Sequence, residues 1–127
     1  MIQTRGISIL LIEDSDFTRE VLRLALESEG YRVLEAPDGR EGVRLYRERR
    51  PAVVILDIVM PEKDGIETVR EILAIDPAAV IFTMSGAEDD YQEVARMLGA
   101  KRGFRKPVVL EALLEAVRSD TLLGRSL

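Results

Sequence analysis

Residues 53–65 read Val-Val-Ile-Leu-Asp-Ile-Val-Met-Pro-Glu-Lys-Asp-Gly. Four consecutive apolar residues, Val53–Leu56, form the kind of run that makes a strand buried on both faces. Asp57 ends that run, so its carboxylate sits where a strand leaves the core and is only half solvated. Pro61 stiffens the loop that follows and Gly65 closes it. The same grammar recurs on either side. Ile7–Ile12 is followed by Glu13-Asp14, Val80–Met84 by Ser85, and a shorter run around Phe104 by Lys106. Parallel strands would bring all these polar groups to one sheet edge, the edge at which open α/β sheets bind ligands.

Helix-like segments separate these strands. One runs from about Asp16 to Glu29, with Phe17, Val21, Leu24 and Ala25 at core spacing, and Gly30 ends it. Arg32–Ala36 is a short second strand, after which Pro37-Asp38-Gly39 turns the chain into a helix reaching about Arg49, broken by Pro51. Asp64 and Glu67 form a capping box for a helix whose apolar side is Ile66, Val69, Ile72 and Leu73. Asp90 and Glu93 repeat the pattern before Tyr91, Val94, Ala95 and Leu98, which recur at amphipathic spacing. A fifth strand near Arg102–Arg105 leads through Pro107 to a helix carrying Leu110, Leu113, Leu114 and Val117. Five βα units of this length imply a doubly wound parallel sheet, because crossovers are right-handed. A flavodoxin-like (βα)5 order, 2-1-3-4-5, sets the switch point between the strands ending at Glu13-Asp14 and Asp57. The whole chain, 1–127, reads as one domain with its core at about 7–118. Residues 119–127 read as a helix end or tail.

Composition narrows the chemistry. The 127 residues include no Cys, His or Trp and carry a net charge of −5. One domain of this size buries roughly two-thirds of its unfolded surface. Without Cys or His there are no disulfides, no thiolate or imidazole ligands and no imidazole base. A metal would have to be held by oxygen, which favours magnesium, manganese or calcium. The negative balance argues against nucleic acid as a direct partner. No run approaches the ~20 apolar residues of a membrane span, so a cytoplasmic protein without a membrane partner is expected. The cations are fifteen Arg and three Lys, which sets Lys106 apart from the default.

Read singly, each motif has an ordinary explanation: a polar turn at Glu13-Asp14, a cap at Asp57, a loop hydroxyl at Ser85, a surface ammonium at Lys106. Read together, they differ. Carboxylates ~4 Å apart repel by on the order of 4 kcal/mol per pair at an effective dielectric of about 20. Such a cluster requires a cation or a raised pKa. Three carboxylates, a hydroxyl and an ammonium suit a divalent cation and a phosphoryl group, and Asp is a competent phosphoryl acceptor.

The acidic pair after strand one, the DIVMPEKDG segment after strand three, Ser-Gly after strand four and Lys-Pro after strand five together resemble the receiver domain of two-component response regulators, chemotaxis-type single-domain receivers included. The resemblance covers Ile7 to Val117. It implies that Asp57 is the phosphoacceptor and that Glu13, Asp14, Asp57 and the backbone carbonyl of Val59 hold Mg2+. It further implies that Ser85 and Lys106 engage the phosphoryl group, with the Lys106-Pro107 bond cis. The implied partners are a histidine kinase or phosphotransfer protein and a downstream protein target met through the face near Asp90–Val117, by a monomer or weak dimer. The chain is then a signalling switch that promotes its own phosphorylation and dephosphorylation, not an enzyme acting on a separate substrate.

Three positions depart from the family's habit. Gly103 stands where members carry an aromatic three residues before the Lys, and Phe104 must face the other side of its strand. Val59 and Ala87 are apolar where fast-dephosphorylating members carry polar groups. A phosphohydrolase resembling haloacid dehalogenases would need a general acid at position 59, which Val59 cannot be. A phosphorylation-independent docking module, or a receiver domain cut from a longer regulator, are the other readings.

Overall fold

The computed structural model describes residues 6–59, 65–86 and 91–125, with side chains to 121. The strands are β1 (Ser8–Ile12), β2 (Arg32–Ala36), β3 (Val53–Asp57), β4 (Ile81–Ser85) and β5 (Arg102–Arg105). The helices are α1 (Asp16–Ser28), α2 (Gly39–Arg49), α3 (Gly65–Ile75), α4 (Tyr91–Leu98) and α5 (Leu110–Arg125). All four strand pairs are parallel, in the order β2-β1-β3-β4-β5. This is the expected flavodoxin-like arrangement. The expected caps Asp64 and Asp90, the stiffening Pro61 and Ala87 lie outside the described residues.

Strand alternation divides the core into two layers. Leu10, Ile12, Val54, Leu56 and Ile81 pack against Val43 and Tyr46 of α2, Val69 and Ile72 of α3 and Ala95 of α4. Ile9, Leu11, Val53, Ile55, Phe82 and Met84 face Leu22 and Leu26 of α1 and Leu113, Ala116 and Val117 of α5. Every residue of β3 and β4 is buried, Thr83 included, as is expected of apolar central strands. Edge strand β5 has no fully buried residue and carries Arg102 and Arg105, charges that discourage pairing with another chain. Lys101, just before it, donates to Asp120 of α5 at 2.5 Å, and Arg102 lies 3.5 Å from the same carboxylate.

Two helix faces differ from the expectation. Phe17 is 76% exposed and Leu24 54%, while Leu22 and Leu26 carry the contact of α1 with the sheet. The helix is turned by roughly 100°, one residue's rotation, from the phase its apolar residues suggest. Burial of Leu22 and Leu26 goes with contacts on the same flank: Arg19 and Arg23 both reach Glu35 on β2, and Arg19 also donates to the Glu13 carbonyl. In α4, Ala95 is buried and Leu98 half-buried, but Tyr91 and Val94 lie at the exposed surface with Met97. A helix of eight residues beside a short edge strand has little sheet to cover.

Candidate functional site

Glu13 follows the last residue of β1, and its amide donates to the Ala36 carbonyl at 3.0 Å, prolonging the β1–β2 ladder by one step. That keeps its backbone strand-like and its side chain fully buried. The Ser15 amide donates to Glu13 Oε2 at 3.1 Å, while the Ser15 hydroxyl caps α1 by accepting from the Thr18 amide. The Arg19 guanidinium donates to the Glu13 carbonyl at 2.7 Å. The turn is therefore fixed from both sides, with Asp14 left exposed at its apex.

Asp57 closes β3 and is buried; its Oδ1 accepts from the Val59 amide at 3.1 Å. The Ile58 amide donates to the Met84 carbonyl at 2.9 Å, which locks the end of β3 beside the end of β4. Gly65 donates to the Ile58 carbonyl at 2.6 Å, and a Cβ there would overlap the Ile58 backbone, so the loop closes only on glycine. Ser85, the buried last residue of β4, accepts on its carbonyl from the Lys106 amide at 2.7 Å. Lys106 is thus delivered one step beyond β5. Its Nζ lies 2.9 Å from Asp57 Oδ2 and 3.3 Å from Glu13 Oε1. The Lys106-Pro107 bond is cis, as expected.

Glu13, Asp14 and Asp57 each offer an oxygen, and all three oxygens lie within 4.8 Å of one another. Burial pushes the Glu13 carboxyl up to about 7; the Ser15 amide opposes this, the Asp57 charge and the Asp14 side chain add to it, and Lys106 lowers it. Partial burial alone would depress the Lys106 ammonium, but Asp57 and then Glu13 outweigh it and hold the ammonium above its ordinary value. Three carboxylates facing one ammonium leave negative charge unmatched in a half-buried place. An oxygen-only donor set of this kind fits a hard divalent cation, magnesium or calcium, better than a transition metal.

All the residues singled out at the strand ends therefore meet at one sheet edge. Ser85 and Thr83 border a cavity of about 310 Å³ that extends under α4 to Gly103. Val59 is half exposed, beside Asp57. Two contributors escape sequence reasoning. Arg19 is one of fifteen arginines and stands out only once the turn around Glu13 is known. Gln92 lies inside an ordinary amphipathic pattern, yet its amide reaches the β5 backbone. Phe104 packs on Phe82 with ring centroids 5.8 Å apart, on the α1/α5 side, so alternation does set it opposite Gly103.

A five-stranded parallel sheet whose central strands end in clustered carboxylates, with a lysine brought across from the edge, defines a response-regulator type of α/β domain. The match to the response regulator receiver domain covers residues 9–118, and the chain belongs to that family. It is 37% identical over 114 residues to the chemotaxis protein CheY of Thermotoga maritima, covering 88% of this chain and 95% of that protein. It is 39% identical over 113 residues to the transcriptional regulatory protein AfsQ1 of Streptomyces coelicolor, covering 87% of this chain but only 50% of that one. A receiver domain protein from Clostridium thermocellum superposes with a TM-score of 0.88 at 31% identity, over 94% of this chain and 97% of that one.

Proposed function

We propose that this domain is a phosphorylation-dependent switch in which Asp57 accepts a phosphoryl group from a histidine kinase or phosphotransfer protein. The observation that carries the reading is the buried Asp57 carboxylate held 2.9 Å from Lys106 Nζ within the Glu13–Asp14–Asp57 group. Glu13, Asp14, Asp57 and the Val59 carbonyl are the groups that would hold magnesium. When bound, the metal supplies charge neutralisation for the transferring phosphoryl oxygens.

The protein's own residues do the rest by positioning and electrostatics, which is most of what phosphoryl transfer asks of a protein. An Asp57 oxygen attacks phosphorus, and the bond from phosphorus to the donor nitrogen breaks. The electron pair leaves with the donor imidazole, which then takes up a proton. Lys106 faces Asp57 and neutralises a phosphoryl oxygen of the acyl phosphate. The Ser85 hydroxyl, at the end of the neighbouring strand, donates to another. Its movement toward that oxygen is the signal carried into α4 and β5.

The domain turns over no separate substrate; it takes part in its own phosphorylation and dephosphorylation. Among the described residues no helix is long and apolar enough to cross a membrane. A cytoplasmic setting, with the downstream target meeting the α4–β5–α5 side, completes the reading. Incubation with a small-molecule phosphodonor and magnesium should give an acid-labile adduct of one phosphoryl group, absent in Asp57→Asn. An unlabelled wild-type chain, or a labelled Asp57→Asn, would overturn the assignment.

A further inference from the structure

Gln92, in the first turn of α4, fills the space that a side chain at Gly103 would need. A Cβ on Gly103 would stand 2.5 Å from Gln92 Oε1 and 2.9 Å from its amide carbon. The other end of that amide is bonded: Gln92 Nε2 donates to the Phe104 carbonyl at 2.7 Å. A glycine in β5 and a glutamine in α4 are therefore two halves of one arrangement. The glycine leaves the strand face bare, and the glutamine crosses it to grip the backbone of the next residue.

This grip matters because, among the described residues, the buried apolar contact of α4 is small. Its inward residues are Ala95, which is small, and half-buried Leu98, while Tyr91, Val94 and Met97 lie at the surface. The cavity of about 310 Å³ beside Gln92 is bordered by Ser85, Thr83, Arg96 and Arg102. A released Gln92 amide can turn into that space and be hydrated, so release costs only the net worth of one hydrogen bond.

We propose that Gln92 is a positioning residue, a tie from α4 to β5 that favours the resting state and must let go for α4 to follow Ser85. The proposal rests on the phosphoacceptor reading.

A bond present only in the resting state draws down the affinity of any ligand that selects the other state. The test is titration of the intact chain with beryllofluoride, a phosphoryl mimic, in the presence of magnesium, followed by NMR. Gln92→Met keeps the length and loses the donor. Gly103→Ala keeps Gln92 but pushes its flexible end off the strand. Each should bind the mimic about fivefold more tightly than wild type, the fold-change expected of one net hydrogen bond. Each should also shift the Phe104 carbonyl resonance in the resting state. Because both break the same contact, the double variant should gain no more than either single one.

A merely structural glutamine would lower the unfolding midpoint on substitution and leave the mimic's affinity unchanged, which would overturn the tie. Multiplicative gains in the double variant would overturn it too. A wild-type chain that gives no response to the mimic would overturn the phosphoacceptor reading and the tie together. A responsive wild type with variants that match it would overturn the tie alone.

Discussion

Replacing Glu13 with glutamine should make the metal-free protein more stable at pH 8 and no more stable at pH 4.5. The carboxyl is fully buried and titrates at about 7 instead of its ordinary 4.5, with burial as the main cause. A carboxyl whose folded value is raised contributes stability below its unfolded pKa and loses it as pH climbs through the folded one. The window is therefore pH 4.5 to about 7. The rise from 4.5 to about 7 corresponds to roughly 3 kcal/mol. Glutamine keeps the volume and an acceptor for the Ser15 amide but gives up the ion pair with Lys106, so the net gain at pH 8 should be about 2–3 kcal/mol. Urea denaturation in a chelating buffer, run on both proteins at pH 4.5, 6 and 8, reads this directly. Magnesium should reverse the order, because it stabilises the ionised cluster of the wild type and finds one ligand fewer in Glu13→Gln. If the stability difference between the two proteins is the same at all three pH values without metal, the Glu13 carboxyl does not titrate above its ordinary range in the fold.

Other outcomes follow from the same geometry. Lys106→Ala should still accept a phosphoryl group but lose most of the chemical-shift response in α4 and β5, since the ammonium that meets the acyl phosphate is gone; an undiminished response would contradict its role. Val59 stands half exposed beside Asp57, where it can orient no water, so Val59→Asn should hasten loss of the phosphoryl group by about tenfold, followed by decay of the acid-labile adduct. An unchanged half-life would remove that argument. Leu22→Ala should cost about 2–5 kcal/mol of stability by urea denaturation, whereas Leu24→Ala on the exposed side of α1 should stay within about 0.5 kcal/mol. Equal losses would mean that the helix sits in the other phase.

Much of this could be read from the chain because β3 and β4 are apolar but for the buried Thr83 and each stops at a polar residue. Such a run has one consistent placement, the middle of a parallel sheet, and the polar residue after it must then lie at the sheet edge. Lys106 was legible for a different reason, its rarity as a lysine ahead of a proline. The phase of α1 was not legible. Phe17 and Leu24 are as apolar as Leu22 and Leu26, and the contacts that accompany the observed phase, such as Arg19 and Arg23 with Glu35, come from a strand that hydropathy alone does not connect to the helix. The Gln92–Gly103 arrangement was half legible. The missing side chain at Gly103 is visible in the sequence, but its replacement comes from another element, and no local pattern marks it.

The hydrogen bonds of Lys106 span 49 residues to Asp57 and 93 to Glu13. Since chains are made from the N-terminus and their early parts begin to fold first, the acids exist before the lysine that balances them. A partly made chain that has paired β1 with β3 holds three crowded carboxylates and no ammonium. Their repulsion works against early closure of the sheet and in favour of whatever brings β5 into place. A balanced charge at the acidic cluster, and with it the response that Lys106 carries, therefore cannot precede completion of the fold. Cutting the chain before residue 106 would leave a fragment with the acids but without the lysine, so the response to phosphorylation, more than acceptance itself, doubles as a report that the last strand has docked.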